Sequence, residues 1–250
     1  MTARAVLIIG HPGHELLVHR WMELARPTVL VLTDGSGGAG AARIGETRAT
    51  VEAAGGAPGG VFGVAPDRRF YDAILAGDVG FFGGLLARLA AEVEGAERVV
   101  SDAIEHFNPV HDLCSVLATL AARRARPMPK RFEFAIERPI APDALAAGAE
   151  VLRLSPSDFA RKLAAAAANG ALQVEVERVR AEQPGVGAVE ALIPVAPDRP
   201  LLPAPGETPY YETFGRARVA SGRFQTLITY ADHVAPLAEA LAALQPAGAE

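Results

Sequence analysis

Four short apolar runs limit what this chain can fold into: Ala5 to Ile9, Val29 to Leu32, Val61 to Val64 and Val99-Val100. Runs this brief and rich in β-branched residues suit strands buried on both faces. Between them lie stretches of helical character. Leu16, Leu17, Trp21 and Leu24 recur at helical spacing until Arg26-Pro27, and further helices are expected over Arg43 to Ala54, Phe81 to Val93 and Leu113 to Ala125. Strand and helix in this alternation predict an α/β fold with a mainly parallel sheet and helices on both faces. Right-handed crossovers then bring the loop after each strand to one rim, where open sheets of this kind bind ligands.

Later signals are sparser. Arg131 to Ile136 and Val151 to Leu154 read as further strands. Ser155-Pro156-Ser157-Asp158 reads as the start of an Ala-rich helix. Residues 184 to 216 are rich in Pro and Gly with Tyr210, Tyr211 and Phe214 interleaved, which predicts a long loop, either a lid or a linker. A final helix follows Pro236. The expected organisation is a catalytic domain over 1–180 and an extension over 181–250 packed on it.

Half of the 250 residues are apolar and the net charge is −5. No Lys/Arg run points to nucleic acid or an anionic membrane. The one cysteine, Cys114, fits a reducing compartment, and the early strand at Ala5 leaves no room for a signal peptide. No apolar stretch reaches the roughly 18 residues of a membrane span. A soluble cytoplasmic protein is expected.

Two loops carry the chemistry. His11-Pro12-Gly13-His14-Glu15 follows the first strand, and Asp102 to Asp112, with His106, Asn108 and His111, follows the fourth. Three protein ligands with one position left for water describe a catalytic zinc site, and neutral imidazole is a common ligand. His11, His14 and His111 would supply such a set. The alternative is two loops whose histidines merely cap or hydrogen-bond near helix starts.

The run His-Pro-Gly-His-Glu after a strand resembles the Ala-His-Pro-Asp-Asp-Glu signature of the LmbE-like (PIG-L) family of metal-dependent N-acetyl-sugar deacetylases. Asn108-Pro109-Val110-His111 stands where that family has His-Pro-Asp-His. Thr33-Asp34-Gly35, Arg43-Ile44-Gly45-Glu46 and Pro66-Asp67 are similar to its Thr-x-Gly, Arg-x-x-Glu and Pro-Asp stretches. The likeness spans about residues 4 to 125, and weakly to 180. It implies a Rossmann-like sheet, with His11 and His111 as metal ligands and His14 in place of a ligand aspartate. It also implies a small-molecule amino-sugar substrate. Two departures stand out: Gly13 replaces the family's general-base aspartate, and Asn108 its oxyanion-stabilising histidine.

An imidazole in place of a carboxylate leaves the site one unit more positive, and a zinc ion held by neutral ligands acidifies bound water to a pKa of roughly 7, so less is asked of a base. Asp102, at the end of a strand on the active rim, is the leading candidate base. Glu15 and Asp34 are others, although Glu15 also suits a helix start and Asp34 an Asx-type turn. Asn108 could donate its amide to an oxyanion. Asp112 is expected to orient a ligand imidazole. His106 is a candidate fourth ligand, acid or substrate contact; Arg43 and Tyr210 are candidate substrate contacts. His19 is expected at the surface, and His233 near the site only if its segment folds back. The Gly37-Gly38-Ala39-Gly40 loop lacks the residues of a phosphate-binding loop. The expected activity is removal of an N-acyl group, foremost acetyl, from an amino-sugar-containing small molecule, with zinc or another divalent transition metal. The rival is a binding module of the same fold that has lost hydrolysis, and a homo-oligomer is left open.

Overall fold

The computed structural model describes residues 4–37, 42–137, 147–170 and 187–244. Among them, seven strands form one sheet in the order β3-β2-β1-β4-β5-β7-β6. The strands are β1 (Ala5–Ile9), β2 (Thr28–Thr33), β3 (Ala57–Ala65), β4 (Arg98–Asp102), β5 (Lys130–Phe134), β6 (Glu150–Arg153) and β7 (Val189–Pro194). The first five pair in parallel. β7 then runs antiparallel to both β5 and β6. β1 is buried along its whole length, as its unbroken apolar sequence requires of a central parallel strand.

The helices are α1 (His19–Ala25), α2 (Ile44–Ala53), α3 (Asp67–Leu75), α4 (Val79–Val93), α5 (Pro109–Arg124), α6 (Pro156–Ala168), α7 (Tyr210–Ala220) and α8 (Ala235–Ala243). One sheet face packs Leu85, Leu86 and Leu89 of α4 with Val116, Leu117 and Leu120 of α5. Leu237, Ala238 and Leu241 of α8 join the same cluster, so the end of the chain completes this core. The other face collects Trp21 and Met22 of α1, Val51 of α2 and Leu192 of β7. The order places the switch point between β1 and β4, whose carboxyl ends carry the two histidine loops.

Several expectations change. α1 is preceded by a tight 3-10 turn, His14–Val18, whose shorter repeat shifts the apolar face and leaves Leu24 exposed. His19, expected at the surface, is buried. α5 begins four residues early because Asn108 caps it, its side-chain oxygen accepting from Val110 N–H at 2.9 Å. The stretch 184–216, expected as loop, contains β7 and the start of α7. The Gly37–Gly40 loop lies largely outside the described residues.

Candidate metal centre

β1 ends at Ile9, and Gly10 turns the chain across the end of β4. Gly10 N–H donates to Asp102 Oδ2 at 2.7 Å, and a Cβ at Gly10 would stand 2.9 Å from that oxygen. Gly13 has φ 105°, a conformation that disfavours any side chain. The two glycines let the loop fold back tightly, so that His11 and His14 flank one point.

His111 enters from the first turn of α5. The three ring centres are 5.5 Å (His11–His14), 5.1 Å (His11–His111) and 4.6 Å (His14–His111) apart, all edge to face. A zinc–nitrogen distance of about 2.0–2.1 Å, with the ring centre about 1.1 Å beyond, puts the centres of tetrahedral imidazole ligands roughly 5 Å apart. The rings therefore have the spacing of ligands to one ion. Buried polar atoms without a partner include His11 Nε2, His111 Nδ1 and Asp102 Oδ1. Donors left unsatisfied in a dry site are what an ion would complete. Even so, among the described residues no group of three or more His, Cys, Asp or Glu side chains meets the donor pattern of a metal cluster as it stands. The residue types and the separation of the ring centres suit a divalent transition ion.

Second partners set the protonation of each ring. His11 Nδ1 lies 2.8 Å from both Asp67 Oδ1 and Thr33 Oγ1. Burial lowers the His11 pKa despite Asp67, so the ring is neutral and gives its Nδ1 hydrogen to the carboxylate. Burial works against the Asp67 charge, yet hydrogen bonds from His11 and Gly37 N–H hold its pKa at about 2. Carboxylate–imidazole–metal pairing of this kind fixes the tautomer of a ligand. Burial also pushes His111 well below the usual histidine value, with the neighbouring imidazoles adding to the effect. At His14 burial again opposes charge, but the Asp102 carboxylate, 3.0 Å from Nδ1, outweighs it and raises the pKa.

The remaining candidates divide. Asp102 is at the centre, fully buried at the end of β4, with one oxygen bound to Gly10 and His14. Glu15 is buried and turned back on its own loop, accepting from Gly13 N–H at 2.7 Å, and burial raises its pKa. Asp34 closes a turn through Ser36 N–H at 2.9 Å, the structural role open to it from sequence. Arg43 Nε donates to Gly35 O at 2.7 Å, and Gly35 packs on Pro12, so Arg43 braces the loop beside the histidines. Asn108 donates one amide hydrogen to the Tyr71 hydroxyl at 3.1 Å.

Asp112 does not orient a ligand imidazole. It lies next to His111 in sequence, and consecutive helix positions face about 100° apart. Its buried carboxylate instead receives the amides of Glu105 and His106 and pairs with His106 Nδ1 at 3.1 Å. His106 has φ 53°, and its ring meets Tyr230 edge-on at 5.6 Å. Tyr210 stacks on Phe107 at 4.2 Å, and its N–H donates to His106 O at 2.8 Å. His233 is held by Thr229 N–H at 3.1 Å. The orienting group that sequence reasoning missed is Asp67. Its only signal was the Pro66-Asp67 pair opening a helix, which carries no hint of a partner 56 positions away.

No family model matches this chain, and no characterised protein matches it by sequence. Solved structures do match by shape. The zinc-inhibited form of teicoplanin deacetylase Orf2 superposes with TM-score 0.53 at 13% identity, covering 79% of this chain and 100% of that one. A deacetylase–bog complex from the teicoplanin biosynthesis pathway gives TM-score 0.52 at 14% identity, with the same coverage. A triple mutant of that pathway's deacetylase gives 0.52 at 15%. The chain therefore shares its α/β fold with a deacetylase of the teicoplanin pathway.

Proposed function

We propose that the chain is a metal-dependent hydrolase that removes an N-acyl group, foremost acetyl, from an amino-sugar-containing small molecule. One observation carries this reading: three imidazoles from two loops meet at ligand spacing beside a buried carboxylate, at the sheet's switch point. The shared fold with a deacetylase supports it. His11, His14 and His111 would hold a divalent ion such as zinc, which would supply Lewis acidity at the acyl oxygen.

The chain's own groups do the rest. Asp67 and Thr33 hold His11 by Nδ1, so Nε2 is the donor presented to the site. Asp102 Oδ1, without a hydrogen-bond partner among the described residues, takes the proton from the attacking water and returns it to the departing amine nitrogen as the C–N bond breaks, while Oδ2 stays anchored to Gly10 and His14. Asn108 has a second amide hydrogen beyond the one given to Tyr71, and this stabilises charge on the acyl oxygen. His106, locked by Asp112, lies on the same loop and contacts the amino sugar together with Tyr210 and Arg43. Glu15 and Asp34 shape their loops. No helix among the described residues is long and apolar enough to cross a membrane.

The test is acetate release from N-acetylated amino sugars and their conjugates, alongside metal analysis of untagged protein. Chelation should abolish release and zinc restore it, and His111→Ala should lose both metal and turnover. Asp102→Asn should keep the metal while turnover falls about 10²–10⁴-fold. Protein that takes up less than about a tenth of an equivalent of metal when zinc is offered would refute a set of ligands of this kind. Metal uptake without turnover across the panel would instead identify a binding module.

A further inference from the structure

Apart from Tyr211, which is buried in the core, residues 210–226 turn their large apolar side chains outward. Tyr210, Phe214, Val219 and Phe224 are 43, 38, 37 and 46% exposed, four of the seven large hydrophobic side chains exposed among the described residues. Every residue from 219 to 226 is exposed. The rings form a continuous series: Tyr210 lies on Phe107, Phe214 follows at 6.0 Å, and Phe224 meets Phe214 edge-on at 6.2 Å. Grouped aromatic exposure of this kind marks an interaction surface.

Charge decides which kind. The segment carries Arg216, Arg218 and Arg223 against Glu212, in a chain of net charge −5. Glu212 is already engaged, by Arg216 at 2.8 Å and by Tyr230 N–H at 2.9 Å. The Arg218 guanidinium lies over the Phe214 ring, 4.6 Å from its centre. Aromatic rings with arginines among them, on an element exposed over its end, match the boundary between apolar chains and anionic headgroups. Pairing this face with its copy about a twofold axis would set the same arginines against each other.

We infer that α7 and the turn after it form a docking surface for anionic lipid. The rings enter at headgroup level and the arginines lie on the phosphates. Because Tyr210 is bonded to His106 and stacked on Phe107, docking brings the histidine rim close to the lipid surface.

The test is co-sedimentation of the full chain with phosphatidylcholine vesicles, with and without phosphatidylglycerol, at low and high salt. The variants are Phe214→Ser with Phe224→Ser, and Arg218→Gln with Arg223→Gln, none of them in the proposed catalytic machinery. Wild type should partition onto the anionic vesicles, and each double variant should bind about tenfold more weakly. Added salt should weaken wild-type binding and act less on the arginine variant. Three outcomes overturn the inference. These are failure of wild type to bind anionic vesicles, binding by both variants equal to that of wild type, and self-association in sedimentation velocity that the phenylalanine substitutions abolish while vesicles bind nothing. No acyl substrate enters the assay, so its failure leaves the proposed hydrolysis untouched.

Discussion

Asp67 decides which nitrogen of His11 faces the cluster. Its carboxylate is ionised and lies 2.8 Å from Nδ1, so the ring keeps its hydrogen there and presents Nε2 inward. Asp67→Asn keeps the shape but lets the tautomer invert. Zinc affinity, measured by competition with a chromophoric chelator, should fall about 10–100-fold. Gly13 poses the opposite question, what a residue permits by lacking a side chain. At φ 105° an added Cβ is strained, and Gly13→Ala should lower stability by about 1 kcal/mol in urea unfolding. The three histidines were legible from the spacing within two short loops. Asp67 and Thr33 were not, because their part depends on β2 and β3 ending on the same rim as β1, which nothing local announces.

At the scale of the element, α5 presents His111 because Asn108 starts the helix where it does. Asn108→Ala removes the bond to Val110 N–H and the amide to Tyr71. A loss of about 1 kcal/mol is expected from the cap alone. Rotation of the first turn would also displace His111, so zinc affinity should fall together with the unfolding midpoint; a midpoint shift with unchanged affinity would confine Asn108 to capping. The parallel strands and their helices were readable, since the apolar runs of β1, β2 and β4 are buried on both faces, and β3, at the sheet edge, still buries Val61. β7 was hidden for a physical reason. Its buried positions are Glu190 and Leu192, and a charged residue facing inward defeats the alternation that marks a strand. α7 was hidden likewise, because Tyr210 and Phe214 face outward, only Tyr211 of its aromatic residues is buried, and its start follows a Pro-rich stretch.

For the whole molecule, buried histidines link stability to pH. Burial lowers the pKa of His19 below 6.5, so between its folded and unfolded values the unfolded chain binds more protons. Stability contributed by a neutral His19 is complete above pH 6.5 and declines as pH falls below it. Urea midpoints should therefore drop between pH 7.5 and pH 5.5, and His19→Gln should flatten that part of the profile. A variant with the wild-type slope would assign the acid sensitivity to other groups.

Glu190 reaches further than its own strand. Its two oxygens receive the amides of Arg20 and Trp21 at 2.9 and 2.8 Å, and Lys162 Nζ joins it while also bonding Leu17 O at 2.9 Å. The helix that follows His14 is thus seated by a carboxylate 170 positions further along the chain. A nascent polypeptide that has emerged through α5 already holds all three imidazoles and Asp102, yet it lacks the acceptor that receives those amides. The amides of Arg20 and Trp21 gain that acceptor only once residue 190 has been made.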